Sequence, residues 1–356
     1  MSSGALDQAG EVRGEDSFDV AAVDAFLKAS VPLEGTPTVT QFPGGASNLT
    51  YQLTYPGREL ILRRPPGGHL PKSGHDMKRE FTVQSKLAKD FPYVPEMVAF
   101  CDDKSVIGSD FYVMQKVPGI ILRKNLPKGF ELTPEDARAL STSWVERLVD
   151  LHAVDPAAAG LENLGKGSGY VERQVEGWSK RYDAARTRNV PSFKKVKKWL
   201  RENQPEDVAN CVIHNDWRLD NVVLDPDDPG RIIAVLDWEM ATLGDPLMDL
   251  GSALAYWIEP GATGLEDQFR LQPSNVPGML TRKEIVELYA QKSGIEIPDW
   301  RFYEVYGYFR LAGIIQQIYK RYHDKETTNP RFKNFWLAVW FLHRQARRSM
   351  SQKRAG

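Results

Sequence analysis

Eight consecutive residues, His214-Asn215-Asp216-Trp217-Arg218-Leu219-Asp220-Asn221, crowd charged and hydrogen-bonding side chains between the apolar runs "NCVIH" and "RIIAVLDW". Asp216 offers a carboxylate able to orient a hydroxyl and accept its proton. Asn221, and Asp237 sixteen residues further on at the end of an apolar strand, offer hard oxygen donors. Such donors suit Mg²⁺, which takes one or two carboxylates and completes its shell with phosphate oxygens and water. Arg218 is placed to neutralise charge on a transferring phosphoryl group. Positioning, metal and charge stabilisation are what phosphoryl transfer asks of a protein. Each residue has a plainer reading too. Asx side chains commonly cap turns, and Arg218 could simply pair with Asp220 or Glu239. Asp216, Asn221 and Asp237 in register with His214 and "DWE" favour the ATP–metal site.

The elements that must carry this loop are legible on either side of it. "SFDVAAVDAFLKAS" has an N-cap serine and helical apolar spacing. "TVTQFPGGASNLTYQLTYPGRELILRRPP" alternates apolar and polar residues around Gly-Gly and Pro-Gly, which predicts consecutive antiparallel strands. "HDMKREFTVQSKLAKDF" is helical, and "MVAFCDDKSVIGSDFYVMQKVPG" gives two further strands. From there the chain turns mainly helical. The pattern predicts an α+β chain of two lobes. The expected divisions are a disordered N-terminus over 1–17, a smaller lobe with an antiparallel sheet and one main helix over 18–117, and a larger helical lobe over 118–356. "DPDDPG" (225–230) lacks EF-hand ligand spacing and reads as a hairpin turn. Asp245 and Asp249 in "GDPLMDL" fit an N-cap and a helix-start carboxylate that scaffold the loop. "FWLAVWF" reads as helical core.

At 356 residues the chain exceeds one ordinary core. Its 42% hydrophobic and 26% charged residues suit a globular protein. A formal charge of −1 gives no case for a nucleic-acid binder. Two distant cysteines, Cys101 and Cys211, argue against a disulfide framework or a zinc site and fit a reducing compartment. No apolar run is long enough to span a bilayer, and the N-terminus lacks signal-peptide character. A cytoplasmic protein is expected.

"HNDWRLDN" keeps the register of the protein-kinase catalytic loop H-R-D-L-x-x-x-N at His, Asp and Asn. The wider stretch "CVIHNDWRLDNVVLDPDDPGRIIAVLDWEMATLGDPLMDLG" resembles the aminoglycoside phosphotransferase and choline kinase superfamily. It is most similar to the kinase-like domains related to those fused to some acyl-CoA dehydrogenases, where "RLDN", "VLDWE" and "LGDPLxDL" also occur. The resemblance runs from about residue 38 through nearly the whole chain. It implies a protein-kinase-like fold with ATP between the lobes and Mg²⁺ on Asn221 and Asp237. It makes Asp216 the catalytic base, His214 a buried orienter of the loop, and Arg218 a phosphate contact. In the smaller lobe it makes "FPGGASNLTYQL" the phosphate-covering loop, with Ser47 and Asn48 facing the β- and γ-phosphates. Arg63 in "LILRR" would take the place of the kinases' phosphate-pairing Lys, with Glu80 as its ion-pair partner. Backbone groups of Gln115 and Val117 would meet the adenine edge.

Two departures stand out. Asn215 replaces the usual Gly of H-G-D, and the phosphate loop is not G-x-G-x-x-G. The short run after Asp237 holds no A-P-E, which favours a small hydroxyl acceptor over a protein. The family implies an aminoglycoside. The nearer relatives suggest a hydroxyacyl-CoA or another anionic metabolite, and so do eleven Lys and Arg against two acids from Arg310 onward. A plainer account of that basic run is a solvated helical face. From another class, the chain could be a pseudokinase-like nucleotide-binding module. Retention of the base together with both metal donors argues against this.

Overall fold

The computed structural model describes residues 9–43, 48–66, 76–262, 264–297 and 299–352. The chain forms two compact units: Met1–Leu122, Pro127–Glu131 and Asn221–Met240 in the first, and Arg123–Leu126, Leu132–Asp220 and Ala241–Gly356 in the second.

The first unit begins with helix α1 (Val20–Lys28), capped by Asp19, whose carboxylate accepts from the Ala22 amide. Strands β1 (Thr38–Gln41), β2 (Leu49–Tyr55) and β3 (Arg58–Arg64) follow, then α2 (Met77–Leu87), β4 (Met97–Cys101), the one-turn α3 (Lys104–Ile107) and β5 (Phe111–Gln115). The strands form one antiparallel sheet of order β1-β2-β3-β5-β4. In β2 the period-2 pattern places Leu49, Tyr51, Leu53 and Tyr55 inward. Gly57 turns the β2–β3 hairpin at φ 74, a conformation open chiefly to glycine. Central β3 is buried on both faces from Leu60 to Arg64. One face packs Leu53, Leu62 and Val113 with Val23 and Leu27 of α1. The other sets Ile61, Tyr112 and Met114 against Met77 of α2. Residues 10–17 lie along the sheet: Gly10 and Gln41 exchange backbone hydrogen bonds of 2.9 Å, and the Tyr51 hydroxyl donates to the Asp16 carbonyl at 2.7 Å.

The chain then supplies the second unit with α4 (Pro134–His152), α5 (Tyr170–Ala185), α6 (Lys194–Glu202) and strand β6 (Cys211–Ile213). A reciprocal box between Thr133 and Asp136 starts α4. Asn221–Met240 return to the first unit as the hairpin of β7 (Val222–Leu224) and β8 (Ile232–Val235). Asp225 and Asp228 accept from backbone amides within its turn, so "DPDDPG" is a hairpin connection. Two contacts fasten the hairpin: Ile120 pairs with Leu224, and the Val235 amide donates to the Tyr93 carbonyl at 2.7 Å.

The second unit resumes with β9 (Thr242–Gly244), antiparallel to β6, and α7 (Pro246–Leu254). Short α8 (Leu265–Gln268), α9 (Arg282–Ser293), α10 (Arg301–His323) and α11 (Phe335–Ser351) complete it. Helices α7 and α10 meet through glycines: a Cβ on Gly307 would lie 2.1 Å from the Gly251 carbonyl oxygen. In α11 the expectation of a core run holds for Ala338 and Val339, and buried Leu342 follows the run. Helical periodicity turns Leu337 and Trp340 outward instead, with Trp340 46% exposed. Among the described residues no helix is long and apolar enough to cross a membrane.

Candidate functional site

In the second unit, β6 delivers the octet directly into a loop held by one carboxylate. Asp249, wholly buried in α7, accepts from the backbone amides of His214 and Asn215, each at 2.8 Å. His152 Nε2 lies 3.2 Å from the same carboxylate, and its Nδ1 is 2.7 Å from the Tyr289 hydroxyl. Burial alone would push the Asp249 carboxyl up; its hydrogen bond to His152 and the nearby His214 hold it below its ordinary value. His214 is also fully buried, and its Nδ1 accepts the Asp216 amide proton at 3.2 Å. A ring nitrogen that accepts carries no proton, so this bond selects the tautomer protonated on Nε2. Trp217 anchors the far side of the loop, its indole donating to the Trp144 carbonyl. The Asp216 carboxylate that emerges is 29% exposed.

Two guanidiniums flank it. Arg218 binds Asp220 through Nε at 2.8 Å and through Nη2, keeps Nη1 3.9 Å from Asp216, and stacks over Tyr256. The plainer reading of Arg218, an ion pair with Asp220, is therefore present in the structure. Arg310 of α10, almost wholly buried, donates from Nη2 to the Asn215 carbonyl at 2.7 Å. Asn215 itself has φ 65, the left-handed conformation that Asn tolerates better than most residues.

In the first unit, β3 and α2 bring Arg63 and Glu80 together. Arg63 Nη1 lies 2.5 Å from Glu80 Oε1, and Nη2 lies 3.1 Å from Asp237 Oδ1. Burial opposes charge on Arg63, but Glu80 and Asp237 raise its proton affinity well above the usual value. Glu80 is pushed up by burial despite the pull of Arg63. Buried Arg63 Nε has no hydrogen-bond partner. Asp237 follows β8 at φ 66, a second non-glycine residue in the left-handed region, with its side chain 34% exposed. The Leu236 amide donates to the Asn221 carbonyl at 2.8 Å, which sets the backbone preceding Asp237 beside Asn221. Asn48 donates to Glu239 at 3.2 Å, and Arg79 reaches the Glu239 carbonyl.

Ser47 lies outside the described residues. Gln115 is held by its neighbours: its amide donates to the Glu96 carbonyl at 2.8 Å and its side chain bridges Arg58 and the Glu59 carbonyl. Val117 follows two residues later, after Lys116 has bonded to Glu59.

The structure thus groups Arg63, Glu80 and Asp237, bonds Asn221 to Leu236 next to Asp237, and sets Arg218 beside Asp216. Sequence reading missed His152, Tyr170, Tyr256 and Arg310, which occupy helices or turns far along the chain and belong to no motif. Among the described residues no group of three or more His, Cys, Asp and Glu forms a metal cage. An amide and a carboxylate oxygen fit Mg²⁺, an ion that keeps waters and phosphate oxygens in its shell. The unpartnered Arg63 Nε is a donor that a phosphate oxygen would satisfy.

A family model described as the phosphotransferase enzyme family matches residues 38–284. Human acyl-CoA dehydrogenase family member 11 is 38% identical over 323 residues, which span 88% of this chain and 40% of that protein. The chain therefore spans well under half the length of such relatives. A candidate aminoglycoside phosphotransferase from Ralstonia eutropha is 32% identical, superposes with a TM-score of 0.80, and is covered over 98% of its length by 94% of this chain. Choline kinase from Cryptosporidium parvum, 13% identical, shares the fold with a TM-score of 0.61 over 93% of this chain and 96% of its own. The fold is protein-kinase-like, as the sequence resemblance implied.

Proposed function

The chain belongs to the phosphotransferase enzyme family, and from that premise we propose that it moves the γ-phosphoryl group of ATP to a hydroxyl of a small molecule. The observation that carries this reading is the partly exposed Asp216 carboxylate on a loop pinned by buried Asp249. Asp216 orients the acceptor hydroxyl and takes its proton as the oxygen attacks phosphorus; the bridging P–O bond breaks and ADP leaves. Asn221 and Asp237 would hold Mg²⁺, which supplies charge neutralisation on phosphate oxygens. Arg63, fixed by Glu80, offers its free Nε and the group now on Asp237 to the nucleotide phosphates. Asn48, Ser47 and the backbone of Gln115 and Val117 complete the proposed nucleotide contacts.

Two acceptor classes compete. Aminoglycosides are polycations, and a pocket for them calls for carboxylates. Beside Asp216 the structure sets Arg218, paired with Asp220 and stacked over Tyr256, and the buried guanidinium of Arg310. That observation favours an anionic hydroxyl compound, such as a hydroxyacyl-CoA or a related metabolite. The deciding experiment measures ADP release from Mg²⁺-ATP against hydroxyacyl-CoA thioesters, aminoglycosides, choline and simple sugars, with Asp216→Asn in parallel. Turnover on one class that disappears in the variant supports transfer and names the acceptor. ATP bound equally by both proteins, with no acceptor-dependent turnover, would favour a nucleotide-binding module.

A further inference from the structure

The family's usual glycine after the loop histidine is Asn215 here, and three polar groups of Asn215 bond to buried partners. Its amide donates to Asp249 at 2.8 Å, its carbonyl accepts from Arg310 at 2.7 Å, and its side-chain oxygen accepts from the Tyr170 hydroxyl at 3.1 Å. The three partners come from three helices, α7, α10 and α5. Tyr170 is 5% exposed and Arg310 4%. A non-glycine residue in the left-handed region persists only where its surroundings over-determine it, and these bonds supply that.

We infer that Arg310 and Tyr170 are positioning residues, which fix the Asn215–Asp216 peptide and thereby aim the Asp216 carboxylate. The inference rests on Asp216 being the proton acceptor. A guanidinium here has no ordinary structural excuse. Burial alone disfavours its charge, and the Asp216 carboxylate nearby supports it. Trp178 packs against its face at 5.5 Å. Among the described residues, the hydrogen bond shown for this buried cation ends on the one carbonyl that precedes Asp216. A neutral donor would meet the carbonyl equally well. Tyr170 does for the Asn215 side chain what a glycine would not require: it gives the amide oxygen a buried donor.

The test uses the full chain carrying Arg310→Met, Arg310→Lys, Tyr170→Phe or Asn215→Gly. Two readouts are taken on each: steady-state kinetics with Mg²⁺-ATP and whichever panel acceptor is turned over, and hydrogen exchange of the peptide covering residues 211–220. Misplacing a catalytic group by about 1 Å can cost on the order of 10²-fold in rate. Arg310→Met is therefore expected to lower kcat by about 10²-fold with KM for the acceptor within roughly threefold, and to speed exchange at His214–Asp216. Arg310→Lys, which keeps charge and a donor, recovers about tenfold of that loss. Tyr170→Phe and Asn215→Gly lose one bond each and fall by a smaller factor, which keeps the test intact if Arg310→Met does not fold. A folded Arg310→Met protein with native kcat and native exchange overturns the inference. A loss expressed mainly in acceptor KM, with exchange unchanged, overturns it also and makes Arg310 a binding residue. If the native protein turns over no acceptor, the proposed function fails, while exchange at 211–220 still decides whether Arg310 and Tyr170 hold the loop.

Discussion

Asp216 and Arg63 are both charged side chains at the candidate site, yet their surroundings assign them opposite liabilities. Asp216 is partly exposed, so the isosteric change to Asn is directed at its chemistry more than at the fold. Asp216→Asn keeps shape and one acceptor but cannot take a proton; acceptor-dependent turnover is expected to fall by about 10²–10⁴-fold. Calorimetric titration with nucleotide should show binding unchanged, and a variant turning over within tenfold of native would remove Asp216 from the base role. Arg63 is buried between Glu80 and Asp237. Arg63→Met strands the Glu80 carboxylate, 1% exposed, without its cation. Removing one partner of a buried pair costs about 3–5 kcal/mol, whereas replacing both by apolar groups is often close to neutral. Urea denaturation should therefore find Arg63→Met less stable by about 3 kcal/mol, with the Arg63→Met/Glu80→Met pair recovering most of it. A double variant as unstable as the sum of its singles would show that the pair is not coupled in this way.

At the scale of elements, what could be read from sequence and what could not divides along a physical line. The β2–β3 hairpin was legible because period-2 alternation and Pro-Gly are local signals, and α4 was legible only as part of the mainly helical stretch, its Thr133–Asp136 box emerging with the structure. The register of His214, Asp216 and Asn221 was legible since one turn of loop sets it. Asp249 was legible only as a helix-start carboxylate; that its two oxygens accept the His214 and Asn215 amides depends on β6 lying against α7. Arg310 was read as part of a basic run, because nothing local distinguishes a cation buried under a loop from one in solvent. The Gly251–Gly307 contact was equally invisible, since a glycine in a helix carries no signal of what approaches it. Here Gly307→Ala would place a Cβ 2.1 Å from a backbone oxygen, which cannot swing away as a side chain would. Overpacking of this kind costs about 1–3 kcal/mol or more. A melting curve should show the second unit destabilised, and an unchanged midpoint would mean that α7 and α10 slide apart without penalty.

For the whole molecule, the buried carboxyls set how stability follows pH, and they do not all act in one direction. Asp249, held low by His152 and His214, contributes stability that is present above the ordinary carboxyl value of 3.8 and is lost as pH falls through its lowered one. Asp245 works the other way. It caps α7 by accepting from the Met248 amide at 2.9 Å and also accepts from Val208 at 2.7 Å, but burial pushes its carboxyl up to about 6. The folded protein then binds a proton more readily than the unfolded chain, so this group's contribution is complete below 3.8 and declines as pH rises through 6. The interval from 3.8 to about 6 is roughly two units, which corresponds to a loss of about 3 kcal/mol by pH 7. Glu80, also raised by burial, adds a slope of the same sign, so the native curve alone cannot isolate Asp245. Asp245→Asn can. Asn is as good an N-cap as Asp, carries no charge to desolvate, and leaves Glu80 and Asp249 in place. Its urea midpoint should match or fall slightly below the native value at pH 4, where Asp245 is largely protonated, and exceed it at pH 7. If the difference between the two proteins is the same at both pH values, the Asp245 carboxyl is ionised in the folded state throughout, and its hydrogen bonds to Val208 and Met248 outweigh its burial.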